Sequence, residues 1–102
     1  MVVNNIDKYY NIISIVCKYY GIDNEELEQL IKKKDNVYLT ILLMKNFKCL
    51  REEKVKENLG IINNRALSYR LKKAEEKILI NKDFRDEYFE LEEKIKENFK
   101  NA

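Results

Sequence analysis

The chain has 102 residues, which is enough for a single domain over residues 1–102 with one hydrophobic core, and its formal net charge is +2. Hydrophobic residues make up 45% of it, which excludes a disordered chain, and the lack of a run of about 18 apolar residues argues against a membrane span. The sequence has no histidine, the commonest general base and metal ligand, so we expect no enzyme, no metal site and no cofactor.

Two helices are predicted before the middle of the chain. Apolar residues recur at three- and four-residue steps over residues 5–20, and Gly21 follows, as expected just past a helix end. Asp23 and Glu26 then have the spacing of a capping box and predict a second helix. Three consecutive cations close this second helix at its C-terminal end, where the helix dipole favours them: Lys32, Lys33 and Lys34.

The third predicted helix is the most apolar. Asn36 is its candidate cap, and the sequence stays largely apolar through about Leu50, which predicts a central, mostly buried helix. The run VYLTILLM also fits a β-strand by its period alone, but no second strand is visible to pair with it, so we favour a helix. Cys17 and Cys49 lie at apolar positions without C-x-x-C spacing, and we expect two reduced core thiols.

Three more helices are predicted in the second half. One covers about residues 52–59, one begins at a cap, Asn63, and reaches about Leu79, and the last begins at a cap, Asn81. The apolar residues of the last helix are spaced either for packing within the chain or for a seam that joins two copies as a homodimer: Phe84, Tyr88, Leu91 and Ile95. The sequence therefore predicts an all-α fold, a single compact bundle of about six helices.

Residues 52–71 have the pattern of a helix-turn-helix. This motif needs apolar anchors in its first helix, a residue tolerant of positive φ at the turn, and apolar residues that seat the second helix. Those roles fall here on Val55, Leu59, Gly60, Ile61 and either Ala66 or Leu67. Lys56 departs from the pattern, because a small residue is usual where the two helices approach closely.

The second helix of this motif carries residues suited to DNA on the side opposite its apolar residues. Arginine pairs with guanine, asparagine with adenine, and serine or lysine with base or backbone. The candidate DNA-binding residues are Asn63, Asn64, Arg65, Ser68, Tyr69 and Lys72, joined by Lys32, Lys33 and Lys34 as phosphate contacts if the fold brings these to the same side. The charge is segregated in the same sense, since residues 32–82 carry fourteen bases and six acids between acidic flanks. A solvated helix face is the alternative.

The order of these segments resembles the C-terminal domain of the bacterial replication initiator DnaA. The similar segments are IVCKYYGI, the basic KKK, the apolar third helix, the short helix ending in LG, LSYRLKKAEE and FRDEYFELEEKI, which together span residues 15–97. The resemblance implies a Trp-repressor-like helix-turn-helix fold that binds duplex DNA boxes.

The chain departs from this family at the signature that reads bases. The family's Gly-Gly-Arg-Asp-His-Thr-Thr-Val falls on residues 60–67, where only the glycine and an apolar end remain. Box-specific recognition is therefore not carried over, and because the chain has no nucleotide-binding domain we expect a free-standing module rather than an initiator.

The sequence thus predicts binding of double-stranded DNA by a small regulator or a replication or mobile-element accessory protein. The alternative is a protein-interaction adaptor that keeps the helix-turn-helix shape and no longer reads DNA. The opening residues lack the basic and apolar regions of a secretory signal, so we expect a cytoplasmic protein associated with the nucleoid.

Overall fold

A computed structural model describes residues 5–100, and the side chains among them from Asp7 onward. Six helices occur in this part of the chain, which contains no strand, so the predicted all-α fold and the helical assignment of VYLTILLM are confirmed. None of these helices combines the length and the apolarity that crossing a membrane requires. The helices are α1 (Asn5–Tyr19), α2 (Leu27–Ile31), α3 (Lys34–Asn46), α4 (Glu52–Asn58), α5 (Asn64–Ile80) and α6 (Lys82–Lys100).

Helix α3 lies at the centre, and α1, α2, α5 and α6 pack around it. Every residue over 36–44 is buried except Tyr38, which is half-buried. The buried hydroxyl of Thr40 is satisfied within the helix, since it donates to the Asn36 carbonyl oxygen at 2.7 Å. A helix that is apolar on nearly every side requires neighbours on every side, and this requirement sets the positions of the other helices.

Both ends of α3 differ from the prediction. The helix begins at Lys34, with Lys33 as an N-cap that makes no side-chain hydrogen bond, and Asn36 is buried inside the first turn, so its prediction as the cap is wrong. The helix ends at Asn46 because Lys48 adopts the left-handed conformation, with φ 60°. The amides of Lys48 and Cys49 then donate to the last carbonyls of α3, which is a Schellman ending without its usual glycine.

The segment between α1 and α2 matches the prediction at one end only. Gly21 has φ 70° and lies just past the end of α1, as predicted. Asp23 does not form a capping box, because its carboxylate accepts the Glu25 amide at 3.0 Å while its carbonyl accepts the Glu26 amide at 2.8 Å. This turn delays α2, which begins at Leu27 and has only five residues.

Helix α6 packs against α1, α3 and α5 through the apolar residues that the sequence offered as a dimer seam. None of these side chains is more than 3% exposed in the single chain: Phe84, Tyr88, Leu91 and Ile95. Of the two alternatives that the spacing offers, the structure thus shows packing within the chain, and it gives no support to a homodimer through these residues. Asn81 caps α6 as predicted, its side-chain oxygen accepting the Phe84 amide at 2.9 Å.

The two cysteines are core residues. Cys17 and Cys49 are free and buried, as predicted. Burial raises the pKa of both thiols, that of Cys49 to about 11, so both stay protonated at neutral pH.

Replacing Leu91 by alanine tests the position of α6. Leu91→Ala removes a fully buried side chain and should lower the free energy of unfolding by about 2–5 kcal/mol, measured by urea denaturation with circular dichroism. Leu79→Ala is the matched control, because Leu79 is 76% exposed and its loss should change stability by less than about 0.5 kcal/mol. A midpoint that rises with protein concentration would contradict the intrachain packing and indicate a dimer.

Candidate nucleic-acid interface

The connection between α4 and α5 comprises residues 59–63. Gly60 has φ 67°, a left-handed conformation that turns the chain, and the side chains on either side of it, Leu59 and Ile61, are each 1% exposed. Val55 of α4 and Leu67 of α5 are buried as well. Four of the predicted apolar anchors thus lie in the core and fix where α5 starts.

The end of α4 is also tied to α1 by a polar contact. The Asn58 amide donates to the Tyr9 hydroxyl oxygen at 3.3 Å. Burial is the main reason that the pKa of Tyr9 rises to about 12, so the phenol stays neutral and keeps this contact at every physiological pH. The turn therefore has an apolar attachment and a hydrogen-bonded one.

Asn63 caps α5, as the sequence predicts. Its backbone is extended, with φ −155°, and its side-chain oxygen accepts the Ala66 amide at 2.8 Å. This hydrogen bond occupies the side-chain oxygen, so of the predicted DNA-binding residues Asn63 is the one with a clear structural role. It holds the first turn of α5 in place.

The other predicted residues of α5 project from its surface. Leu67 and Ala74 face the core, and the exposed candidates follow the opposite side and its flanks: Asn64, Arg65, Ser68, Tyr69 and Lys72. Tyr69 is 59% exposed, and the Lys73 ammonium lies 5.5 Å from the centre of its ring. One stretch of α5 thus offers a ligand several hydrogen-bond donors, the guanidinium group of Arg65 and an exposed aromatic ring.

The charges of α5 differ between its two halves. In the C-terminal half, Lys73 pairs with Glu76 at 3.7 Å, and Lys77 pairs with Asp35 of α3. In the N-terminal half the sequence offers no such partner, because residues 58–74 contain four basic residues and no acidic one. Within residues 5–100, no carboxylate pairs with Arg65, Arg70 or Lys72. The first half of α5 is a positive surface and the second half is close to neutral.

The three consecutive lysines run from the end of α2 to the first residue of α3, so they do not close a long second helix. Lys32 follows the last turn of α2, Lys33 is the N-cap of α3 and Lys34 is its first residue, and all three are exposed. Lys34 shares a cleft with α5, lined by Lys34 and Tyr38 from α3 and by Tyr69 and Arg70 from α5. The fold thus brings one of the three lysines, Lys34, against the N-terminal half of α5.

Sequence reasoning missed two residues of this cleft. Tyr38 was assigned to the apolar set of α3, and Arg70 falls on the flank of α5 between its buried and its outermost residues. Neither position is distinctive in the sequence, because their meeting depends on how α3 and α5 cross. The one available signal is the acid-free stretch over residues 58–74, which contains Arg70.

Acidic residues cluster elsewhere. Glu90 and Glu97 of α6 line a groove against α1 together with Lys18 and Tyr19, and the Tyr19 hydroxyl donates to Glu90 at 2.9 Å. In the part of the chain that the structure describes, no group of three or more cysteine, aspartate or glutamate residues is arranged to hold a metal ion.

No protein-family model, curated protein or solved structure matches this chain. The resemblance to the C-terminal domain of DnaA therefore stays a prediction, and function has to be inferred from the surface of α5 and its surroundings.

Replacing Gly60 tests the turn. A Cβ atom at this position would lie 3.7 Å from Ile31 Cδ1, an ordinary contact, so backbone strain alone determines the cost of a side chain. Gly60→Ala should lower the free energy of unfolding by about 1–2 kcal/mol. Gly60→Asn is the control and should lose less, because asparagine tolerates positive φ better than alanine. If Gly60→Ala and Gly60→Asn lost the same stability in thermal denaturation, the positive φ of Gly60 would not be the cause of the loss.

Replacing Asn63 tests the cap. Asn63→Ala removes the acceptor of the Ala66 amide and should destabilise the protein by about 0.5–2 kcal/mol. Asn64→Ala, one residue further on, removes an exposed amide and should change stability by less than about 0.5 kcal/mol. A larger loss for Asn64→Ala than for Asn63→Ala in urea denaturation would contradict the assignment of the cap.

Proposed function

We propose that α4, residues 59–63 and α5 form a helix-turn-helix that binds double-stranded DNA, with the N-terminal half of α5 in the major groove. The observation that carries this proposal is the uneven pairing of charge along α5: the cations of its first half have no carboxylate partner within residues 5–100, and those of its second half do. A solvated helix face has no need of this asymmetry. A polyanion that covers only the first half of the helix accounts for it.

The roles of individual residues follow from their place on α5. In helix-turn-helix proteins the N-terminal residues of the second helix contact base edges. Here these are Asn64, Arg65 and Ser68, with side chains that suit adenine, guanine and either base or backbone respectively. We assign phosphate contacts to Lys72, one turn beyond Ser68, and to Lys33, which is exposed on the α2–α3 connection.

The distribution of acids supports the same orientation. Glu90 and Glu97 line the groove between α1 and α6, and no residue of α5 lines that groove. The unpaired cations of the first half of α5 attract a polyanion, whereas the two carboxylates of the α1–α6 groove repel one. A protein of this kind would act as a small DNA-bound regulator, or as an accessory to replication or to a mobile element.

A protein-binding adaptor is the second candidate, and exposed apolar side chains favour it. Ile62 and Ile80 are each 83% exposed and Leu79 is 76% exposed, at the two ends of α5. Large apolar residues on a surface are a feature of protein contacts. A complex with a protein that is insensitive to salt, together with no binding to duplex DNA, would favour the adaptor.

Fluorescence anisotropy on duplexes selected from a random pool tests the DNA-binding proposal. Arg65→Ala should cost about 1–3 kcal/mol of binding to the selected duplex and relax its sequence preference. Lys72→Ala should weaken binding to selected and random duplexes alike and reduce the slope of log K against log salt by about 0.9. Lys94→Ala, on the exposed surface of α6, removes the same charge elsewhere and should change neither quantity. Affinity no better than ~0.1 mM at low salt would refute the proposal.

A further inference from the structure

The cleft between α3 and α5, which we call the α3–α5 cleft, is lined by Lys34, Tyr38, Tyr69 and Arg70. Lys34 and Tyr38 are four residues apart and so lie one above the other on α3, while Tyr69 and Arg70 are consecutive on α5. Arg70 is half-buried, whereas the lysine is exposed. The cleft thus has one cation from each helix and one phenol from each helix.

The electrostatics of the α3–α5 cleft are unbalanced. Two cations line it, no carboxylate does, and within residues 5–100 neither Lys34 nor Arg70 forms an ion pair. Like charges in one small cleft repel each other unless an anion lies between them. The adjoining groove, which shares Tyr38, shows the contrast: its two lysines pair with Glu76 and with Asp35.

The size and the donors of the α3–α5 cleft fit a small tetrahedral anion. Its volume is about 130 Å³. Since a water molecule occupies about 30 Å³ in the liquid, the cleft has room for a group larger than one water molecule. A guanidinium, an ammonium and two phenol hydroxyls can all donate hydrogen bonds to an anion, and a guanidinium matches two phosphate oxygens at once. Helix α3 also begins here, and its N-cap makes no side-chain hydrogen bond. The positive end of the α3 dipole therefore adds to the positive potential in the cleft.

We propose that the α3–α5 cleft binds one phosphate group of the DNA backbone, with Arg70 and Lys34 as its main ligands. This inference rests on the proposed binding of DNA by α5 and adds Arg70 and Tyr38 to its contacts. A phosphate held between α3 and α5 fixes the angle at which α5 enters the groove. It positions the duplex and reads no sequence.

The experiment measures duplex affinity by anisotropy from 50 to 200 mM salt for the unaltered protein and for Arg70→Ala, Arg70→Lys, Lys34→Ala and the double variant Lys34→Ala/Arg70→Ala. The duplexes come in two forms, with all phosphates and with single phosphates replaced one at a time by uncharged methylphosphonates. Lys94→Ala is the charge-matched control. Circular dichroism checks that each variant is folded. If the loss of half-buried Arg70 disturbs the fold, Lys34→Ala still tests the cleft, because Lys34 is exposed.

The expected result has three parts. Arg70→Ala weakens selected and random duplexes by the same factor and reduces the salt slope by about 0.9. One methylphosphonate position weakens the unaltered protein but has no further effect on Arg70→Ala, which identifies the phosphate in the cleft. The double variant loses less than the product of the two single losses, because both side chains hold one group. Arg70→Lys keeps part of the affinity, since it keeps the charge without the fork.

Two results would overturn the proposal, and they differ in what else they overturn. If Arg70→Ala and Lys34→Ala bind duplex as tightly as the unaltered protein, the cleft is no phosphate site and the binding of DNA by α5 stands. If the unaltered protein binds no duplex, titration with inorganic phosphate followed by NMR of the Arg70 side chain decides the rest. Saturable binding of inorganic phosphate would show that the cleft binds a free phosphate instead of DNA. If inorganic phosphate does not bind either, the cleft is not an anion site.

Discussion

The burial of α3 is the constraint on which the rest of the molecule depends. Residues 36–44 are apolar on almost every side, so α3 is stable in water only when other helices cover it. Helices α1, α2, α5 and α6 do so, and each must turn its own apolar side inward. For α5 this fixes Leu67 and Ala74 against the core and leaves the opposite side to solvent. The exposed surface that could meet DNA is therefore a by-product of covering α3, and its orientation is set by packing.

The ion pairs between α3 and α5 neutralise the positive charge of α5 and contribute little to the stability of the fold. The pair between Lys77 and Asp35 and the pair between Lys45 and Glu75 both join α5 to α3, but their side chains remain 28–51% exposed. Exposed pairs of this kind contribute about 0–1 kcal/mol each. Their larger consequence is that the C-terminal half of α5 has little net positive charge, whereas Arg65, Arg70 and Lys72 in its first half have no carboxylate partner within residues 5–100. The boundary between a neutral and a positive surface lies within one helix.

Local features of the fold could be predicted from the sequence, and features that depend on how helices cross could not. Asn63 and Asn81 were predicted as caps because a cap needs only a side chain and an amide three residues away. Asp23 has the same chemistry, yet its carboxylate accepts an amide two residues on, which forms a turn and delays α2. The end of α3 was placed too late because a lysine, Lys48, adopts the conformation that a glycine usually marks. Arg70 was missed as a site residue for a different reason, since its neighbour Lys34 is 36 positions away in the chain and only the crossing of α3 and α5 brings them to one cleft.

The two sets of cations near the start of α5 differ in what a ligand can gain from them. Arg65 and Lys72 are exposed, whereas Arg70 is half-buried and lines the α3–α5 cleft, so the Arg70 side chain has less conformational entropy to lose on binding. A contact that is already ordered costs less entropy to form than one that must be ordered on binding. Phosphate binding at the α3–α5 cleft would thus position α5 on the duplex first. Asn64 and Arg65 would then contact the base edges within reach. Under this division the target sequence can change through the exposed residues of α5 without altering the α3–α5 cleft that positions them.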